Sequence, residues 1–545
     1  MPLSRRQILL RAAALAALPS SALARPRRRA KGPFKASWQS LASQYRAPAW
    51  FADAKFGIWA HWSAQCVPEM GDWYARRMYM QGDSAYDDHL KRYGHPSEAG
   101  FMEIDHLWKA ENWNPEELLS LYEKAGAKYF MALANHHDNF DNYRSRHHAW
   151  NSLRVGPKRD IIGTWEKLVR ERGLRFGVSN HSSHAWHWFQ VAYGYDAVGP
   201  KAGVRYDAYR LTKADGKGKW WQGLDPQELY TGRNMVIPDG INSIEAMKQW
   251  HDQNDGVWHE DIPPHNPAFA RKWFLRCKDL IDSYKPDMIY FDDTGLPFDR
   301  YGLEIAAHFY NASMAWHGAN EAVVTAKKLP PAHAPGVVED IERGLASDIM
   351  ERPWQTDTCI GDWHYNRAVF EEHRYKTAES VVQMLCDIVS KNGNLMLNIP
   401  VKGDGTIDSD ERAILADLAR WTATNGEAIY ASRPWKTFGE GPTKVQSGMF
   451  GESNLKGFTG QDIRFTRKGD VLYAAVLGQP AANAVTIASL AQGSHLVGGT
   501  IERVTLLGAG PIAFTRDAAG LSATLPPAPK GVFVPVLKIE GNNLA

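Results

Sequence analysis

Short apolar runs alternate with amphipathic stretches through the middle of this chain, and that alternation constrains the fold more than any other feature. The runs are "KFGIWAH" (55–61), "AKYFMALAN" (127–135), "LRFGVSNH" (174–181), "DMIYFDD" (287–293) and "NLMLNIP" (394–400). Each is near-continuously apolar, as a strand covered on both faces of a parallel sheet must be. The intervening stretches read as helices with legible ends. In "NPEELLSLYEKAG", Asn114 can cap, Pro115 takes the first helical position and Gly126 stops the helix, with Leu118, Leu119, Tyr122 and Ala125 on its apolar face. "DIIGTWEKLVRERG" repeats the logic with Asp160 as cap, and "FARKWFLRCKDLIDSY", "TAESVVQMLCDIVSKNG" and "SDERAILADLARWTATNG" follow. Such alternation predicts an α/β fold with a parallel sheet. Five or more units over residues 41–430 favour a TIM-like (β/α) barrel, whose βα loops absorb extra length. The doubly wound sheet is the alternative, but no glycine-rich fingerprint follows the first run.

The texture changes after residue 430. "DVLYAAVLG" (470–478), "ERVTLLG" (502–508) and "GVFVPVLKIE" (531–540) are strand-like and separated by turn residues, which predicts a β-sandwich over 431–545. At the other end, Arg5-Arg6 precedes an apolar stretch and the small residues Ala22-Leu23-Ala24. This reads as a twin-arginine export signal over 1–24, followed by a basic leader over 25–40. A periplasmic or secreted protein is expected, with no membrane anchor in its mature form, because the apolar stretch is too short to span a bilayer.

Bulk composition excludes more than it selects. With 63 basic and 61 acidic residues the net charge is +2, and no extended basic patch suggests nucleic acid. The four cysteines, Cys66, Cys277, Cys359 and Cys386, are too widely spaced for a zinc ribbon or a redox pair, so buried free thiols are expected. The 21 tryptophans suit stacking on sugar rings, but the count by itself reads as core filling.

Barrel enzymes carry their chemistry where strands end. Here the runs deliver His61-Trp62, then Asn135-His136-His137-Asp138, then Asn180-His181 with His184 and His187, and finally Asp292-Asp293. Imidazoles and carboxylates can hold a hydrolytic metal, but no HExxH-type spacing occurs, and His136 and His137 on one strand would point to opposite faces. Alternatively, two carboxylates break a glycosidic bond while histidines and tryptophans hold the sugar.

At these residues the chain resembles the α-L-fucosidases of glycoside hydrolase family 29. "WFADAKFGIWAHWSAQCVPEMGDWYARRMY", "NHHDNF", "PKRDIIGTWEKLVRERGLRFGVS", "YKPDMIYFDD", "PWQTDTCIGDWHYNR" and "KNGNLMLNIPVKGDGTID" look like successive blocks of that family, in its order, from about residue 48 to 440. The resemblance implies a distorted barrel with a C-terminal β-sandwich, and retaining hydrolysis of terminal α-L-fucose from a glycan or glycoside without metal or other cofactor. It implies Asp292 as nucleophile and His61, Trp73, His136, His137 and His181 as sugar-binding residues, while strand alternation should turn the neighbouring Asp293 elsewhere. Trp363 matches an aromatic that packs on the C6 methyl of the sugar. The acid/base lies among Glu339, Glu342 and Glu351, with Glu342 favoured against a surface pair with Arg343. Lys327 and Lys328 are the nearest basic residues to the leaving side. The block that the family usually writes Lys-His-His-Asp-Gly-Phe has Asn135 and Asn139 here, and Ser63 replaces a common Gly. A glycosidase for a related sugar such as α-L-galactose, and a sugar-binding protein without turnover, are the alternative functions.

Overall fold

A computed structural model describes residues 31–455, 457–527 and 531–544; the expected export signal at 1–24 lies outside them. Eight strands form one all-parallel sheet: β1 (Phe56–Ala60), β2 (Tyr129–Asn135), β3 (Arg175–Asn180), β4 (Met288–Thr294), β5 (Val323–Lys327), β6 (Val338–Glu339), β7 (Trp354–Cys359) and β8 (Gly393–Asn398). Their order is β6-β5-β4-β3-β2-β1-β8-β7. A parallel bridge between Asp340 and Gln355 closes β6 onto β7, making a barrel. The five apolar runs of the sequence are β1, β2, β3, β4 and β8, each buried along its length except at the polar ends of β3 and β4.

The other three strands have weaker local signals. β6 is two residues long, and no long helix separates β5 from β6 or β6 from β7, so the βα rhythm fails there.

The helices named here are α1 (Trp38–Gln44), α2 (Pro115–Lys124), α3 (Ile161–Glu171), α4 (Pro267–Tyr284), α5 (Arg300–His317), α6 (Ala378–Ser390) and α7 (Ser409–Asn425). Caps sit where side-chain chemistry dictates. Asn114 accepts from the Glu117 N–H ahead of α2, Asp160 from the Gly163 N–H ahead of α3, and Asp408 forms a capping box with Glu411 ahead of α7. Part of the stretch read as leader packs on the barrel. Phe34 exchanges two backbone hydrogen bonds with the Asn311 side chain (3.1 and 2.8 Å), and Trp38 stacks on His333 at 4.3 Å. Apolar burial and a satisfied amide hold this segment despite the basic run just before it.

After α7 the chain turns antiparallel. β9 (Arg433–Glu440), β10 (Ile463–Lys468), β11 (Val471–Val476), β12 (Ala484–Ile487), β13 (Ile501–Leu506), β14 (Gly510–Pro511), β15 (Phe514–Arg516), β16 (Leu521–Thr524) and β17 (Val536–Gly541) build two sheets, ordered β14-β13-β17-β11-β10-β9 and β12-β16-β15. Strand β11 shows why the larger sheet stays in place. Leu472, Ala474 and Val476 enter the core between the two sheets, while Tyr473 and Ala475 join the barrel's core. Period-2 alternation thus buries both faces. An ion network crosses the junction: the buried Asp387 of α6 meets Lys391 at 2.7 Å and Arg464 of β10 at 2.6 Å.

Candidate active site

The carboxyl ends of the strands converge on a cavity of about 590 Å³. Its lining includes His61 after β1, His136 and His137 after β2, His181 after β3, Asp292 in β4, Lys327 closing β5, Glu342 after β6, and Asp357 in β7 with Trp363 beyond it. Trp73, Trp258, Tyr290, Met449 and Phe450 are among the other wall residues. All eight residues assigned to the site from the sequence therefore meet in one cavity. Of the three glutamates weighed there, Glu342 lines it; Glu339 opens onto a neighbouring cleft, and Glu351 is exposed and paired with Arg352.

Lys327 organises the charges. Its Nζ lies 2.6 Å from Asp292 Oδ1 and 2.6 Å from Glu342 Oε2. Those two oxygens are thus no further apart than twice that distance. Burial by itself would raise the Asp292 carboxyl, but the Lys327 ammonium, with the His137 and His181 rings beside it, outweighs that and holds the group well below the usual carboxylate range. Glu342 goes the other way. Burial and the carboxylates of Asp357 and Asp292 push it up to about 7, against the opposing pull of Lys327. Burial disfavours the Lys327 charge, but the surrounding carboxylates outweigh that and hold the ammonium protonated. Two carboxyls beside one lysine are driven apart by their surroundings. Glu342 is not the surface partner of Arg343, whose guanidinium turns toward Glu452 at 3.6 Å.

The histidines are kept neutral. Desolvation lowers His61 and His136 well below the ordinary imidazole range and His181 to about 4. The Nδ1–H of His137 donates to the His181 carbonyl at 2.8 Å, since a carbonyl only accepts. Its Nε2, 3.4 Å from Asp292 Oδ2, is left as an acceptor suited to a hydroxyl donor. Both His136 and His137 line the cavity, with ring centroids 4.4 Å apart, which corrects the expectation of opposite faces. Strand alternation does not reach them, because β2 ends at Asn135 and the chain turns there.

Asp293 faces away from its neighbour, accepting from Ser183 Oγ at 3.0 Å and meeting His184 Nε2 at 3.1 Å. Beside it stands Glu260, whose Oε1 accepts from the Thr294 N–H at 2.9 Å. Burial, together with the Asp293 carboxylate, pushes Glu260 up to about 8; burial likewise raises Asp293 to about 7.

Three groups bring potential ligand atoms within 4.8 Å of one another: His61-His136-His181, His137-His181-Asp292 and His184-Glu260-Asp293. In the second, the Lys327 ammonium already neutralises Asp292, so a divalent ion there would face a buried cation.

The departures from the family blocks have structural substitutes. Asn139 takes φ +62°, the left-handed conformation that Gly supplies freely and Asn tolerates. Asn135 accepts from the His181 and Ser182 N–H groups, both at 3.3 Å, and donates to Asp141 at 2.9 Å. Ser63 caps the short turn that follows it by accepting from the Gln65 N–H.

Sequence reasoning missed several wall residues. Tyr290 was readable, because it lies two residues before Asp292 on one strand and must share its face. It donates to Asp357 Oδ2 at 2.8 Å. Trp258 stacks on His184 at 3.8 Å and Phe450 comes from beyond β9, so both depend on long-range folding that no local signal announces.

Comparison with known proteins points to one family. The model of the family described as alpha-L-fucosidase matches residues 21–427. The tissue alpha-L-fucosidase of Rattus norvegicus is 27% identical over 502 residues, covering 91% of this chain and 89% of the relative. That of Homo sapiens is 26% identical over 527 residues, covering 94% of both. Among solved structures, a Thermotoga maritima alpha-fucosidase in complex with a mechanism based inhibitor superposes with a TM-score of 0.65 at 26% identity, covering 93% of this chain and 99% of that one. The same organism's alpha-fucosidase in complex with fucose gives 0.63.

Proposed function

Because the chain belongs to the α-L-fucosidase family of glycoside hydrolases, we propose that it removes terminal α-L-fucose from glycans or glycosides with retention, through a covalent fucosyl intermediate on Asp292. The observation that carries this reading is the placement of Asp292 and Glu342 on one ammonium, with opposite protonation preferences. Retaining glycosidases hold their two carboxyls about 5–5.5 Å apart, one ionised and one protonated. Ionised Asp292 attacks the anomeric carbon while protonated Glu342 gives its proton to the leaving oxygen. Once Asp292 is an ester its charge is gone, so one of the influences raising Glu342 disappears and Lys327 pulls its pKa down. Glu342 then becomes the base that water needs in the second step. Neutral His61, His136, His137 and His181 exchange hydrogen bonds with the sugar hydroxyls, and Trp73 and Trp363 offer apolar faces to a deoxy sugar.

Supported only by the sequence, export by a twin-arginine signal to the periplasm or medium belongs to the same proposal. Among the described residues no helix is long and apolar enough to cross a membrane.

The decisive experiment is hydrolysis of an aryl α-L-fucoside by the wild type and Asp292→Ala, with azide added to the variant. Wild-type turnover, its fall by several orders of magnitude in the variant, and rescue as a fucosyl azide are expected. Full activity in Asp292→Ala removes that residue from the mechanism. Faster turnover of the matching α-L-galactoside would transfer the assignment to that sugar.

A further inference from the structure

The loop between β9 and β10 leaves the C-terminal sheets and reaches the mouth of the cavity. It is fastened there to the segment that carries Glu342. The Phe450 N–H donates to the Glu342 carbonyl at 2.8 Å, the Glu452 N–H to the Arg343 carbonyl at 3.1 Å, and the Gly448 N–H to the Leu345 carbonyl at 3.0 Å. Glu452 adds side-chain bonds to Thr358 (2.7 Å) and Lys376 (3.1 Å). This anchoring holds Phe450 in the left-handed region at φ +59°, ψ +16°, which is costly for a bulky residue. The strained ring is then left 52% exposed on the cavity wall. Neither the strain nor the exposure serves core packing. A second cleft of about 380 Å³ continues from the same edge, sharing Lys328 and Met449 with the first.

We propose that Phe450, with Met449, is the leaving-group subsite, a platform for the apolar face of the pyranose ring to which the fucose is attached. The inference rests on reading Glu342 as the acid, since that places the loop on the leaving side of the cavity. Aromatic faces stack on the C–H face of a sugar ring without demanding one hydroxyl pattern, which suits a ring whose substituents vary. The adjoining cleft gives room for a further sugar. The C-terminal domain thereby contributes to substrate choice as well as supporting the barrel.

The test compares α-L-fucosyl fluoride, whose leaving group reaches no platform, with 2′-fucosyllactose and 3-fucosyllactose. In Phe450→Ala, kcat/KM on the better fucosyllactose should fall about tenfold, while that on the fluoride changes less than about twofold. Phe450→Gly should show the same selective loss with an equal or higher melting temperature, because Gly adopts this conformation freely. Phe450→Trp should restore the glycan rate. Equal effects on both substrates, or none, or a wild type that cleaves the fluoride but neither fucosyllactose, would overturn the subsite and leave the proposed hydrolysis standing. Failure of folded wild type to cleave any of the three would overturn the hydrolysis itself, and this inference with it.

Discussion

Lys327 Nζ, at the last residue of β5, lies 2.6 Å from Asp292 Oδ1 on the adjacent strand β4. The pair spans a register irregularity between the two strands, which opens after Tyr290 and resumes at Thr294. That offset leaves room for the ammonium between β4 and the Glu342 segment. One cation thus touches both carboxyls.

Replacing this lysine should move a pH limb. In Lys327→Met the Asp292 carboxyl loses the charge that most opposes its burial, so its pKa rises. In the proposed mechanism ionised Asp292 is the reactive form, so the acidic limb of the kcat/KM profile should shift to higher pH, with a loss of about a hundredfold at the optimum. An acidic limb that stays in place would show that His137 and His181 suffice.

Glu342→Gln should remove the other limb. The proposed mechanism needs Glu342 protonated in the first step, so wild-type activity should fall as pH rises through about 7. The variant should lose that limb and about 10²–10⁴-fold in rate on poor leaving groups. Activated aryl fucosides should lose far less in the first step. A pH–rate series on two leaving groups reads both effects.

Glu260 and Asp293 make stability pH-dependent in a particular direction. Both are raised in the folded protein, to about 8 and about 7, above the ordinary carboxyl range. Between the ordinary range and those values the folded state binds more protons than the unfolded one. Their contribution is fully present below the unfolded pKa and is lost as pH rises toward 8. Glu260→Gln should flatten the fall in melting temperature between pH 5 and pH 8; an unchanged slope would assign the dependence elsewhere.

Asn139→Ala tests the substitute for glycine. The residue keeps φ +62° and bonds Arg276 Nη1 at 2.5 Å and the Leu229 carbonyl at 3.0 Å. Alanine combines left-handed strain with a buried guanidinium left short of a partner, and should cost about 2–4 kcal/mol in denaturant unfolding. Asn139→Gly, free of the strain, should cost less.

Much of the barrel was legible because its signals are local. Five strands announce themselves as near-continuous apolar runs, and Asn114 and Asp160 cap the helices that the chain spells out after them. Strands β5, β6 and β7 were harder to read, because β6 is two residues long and no helical period separates these strands. The four cysteines followed their spacing and are buried and free.

By itself, the sequence determined which residues end strands, since hydrophobic period and capping chemistry act within a few positions, and so it fixed the candidates Asp292, His61 and His181. Only the tertiary structure decided what those groups experience. The bridging position of Lys327, the split of Asp292 from Glu342, the turn that sets His136 and His137 in one cavity, and the arrival of Phe450 each depend on segments tens to hundreds of residues apart. The physical reason is that burial and Coulomb interaction act through space, and in a low-dielectric cavity they outweigh anything a residue's neighbours in the chain can supply.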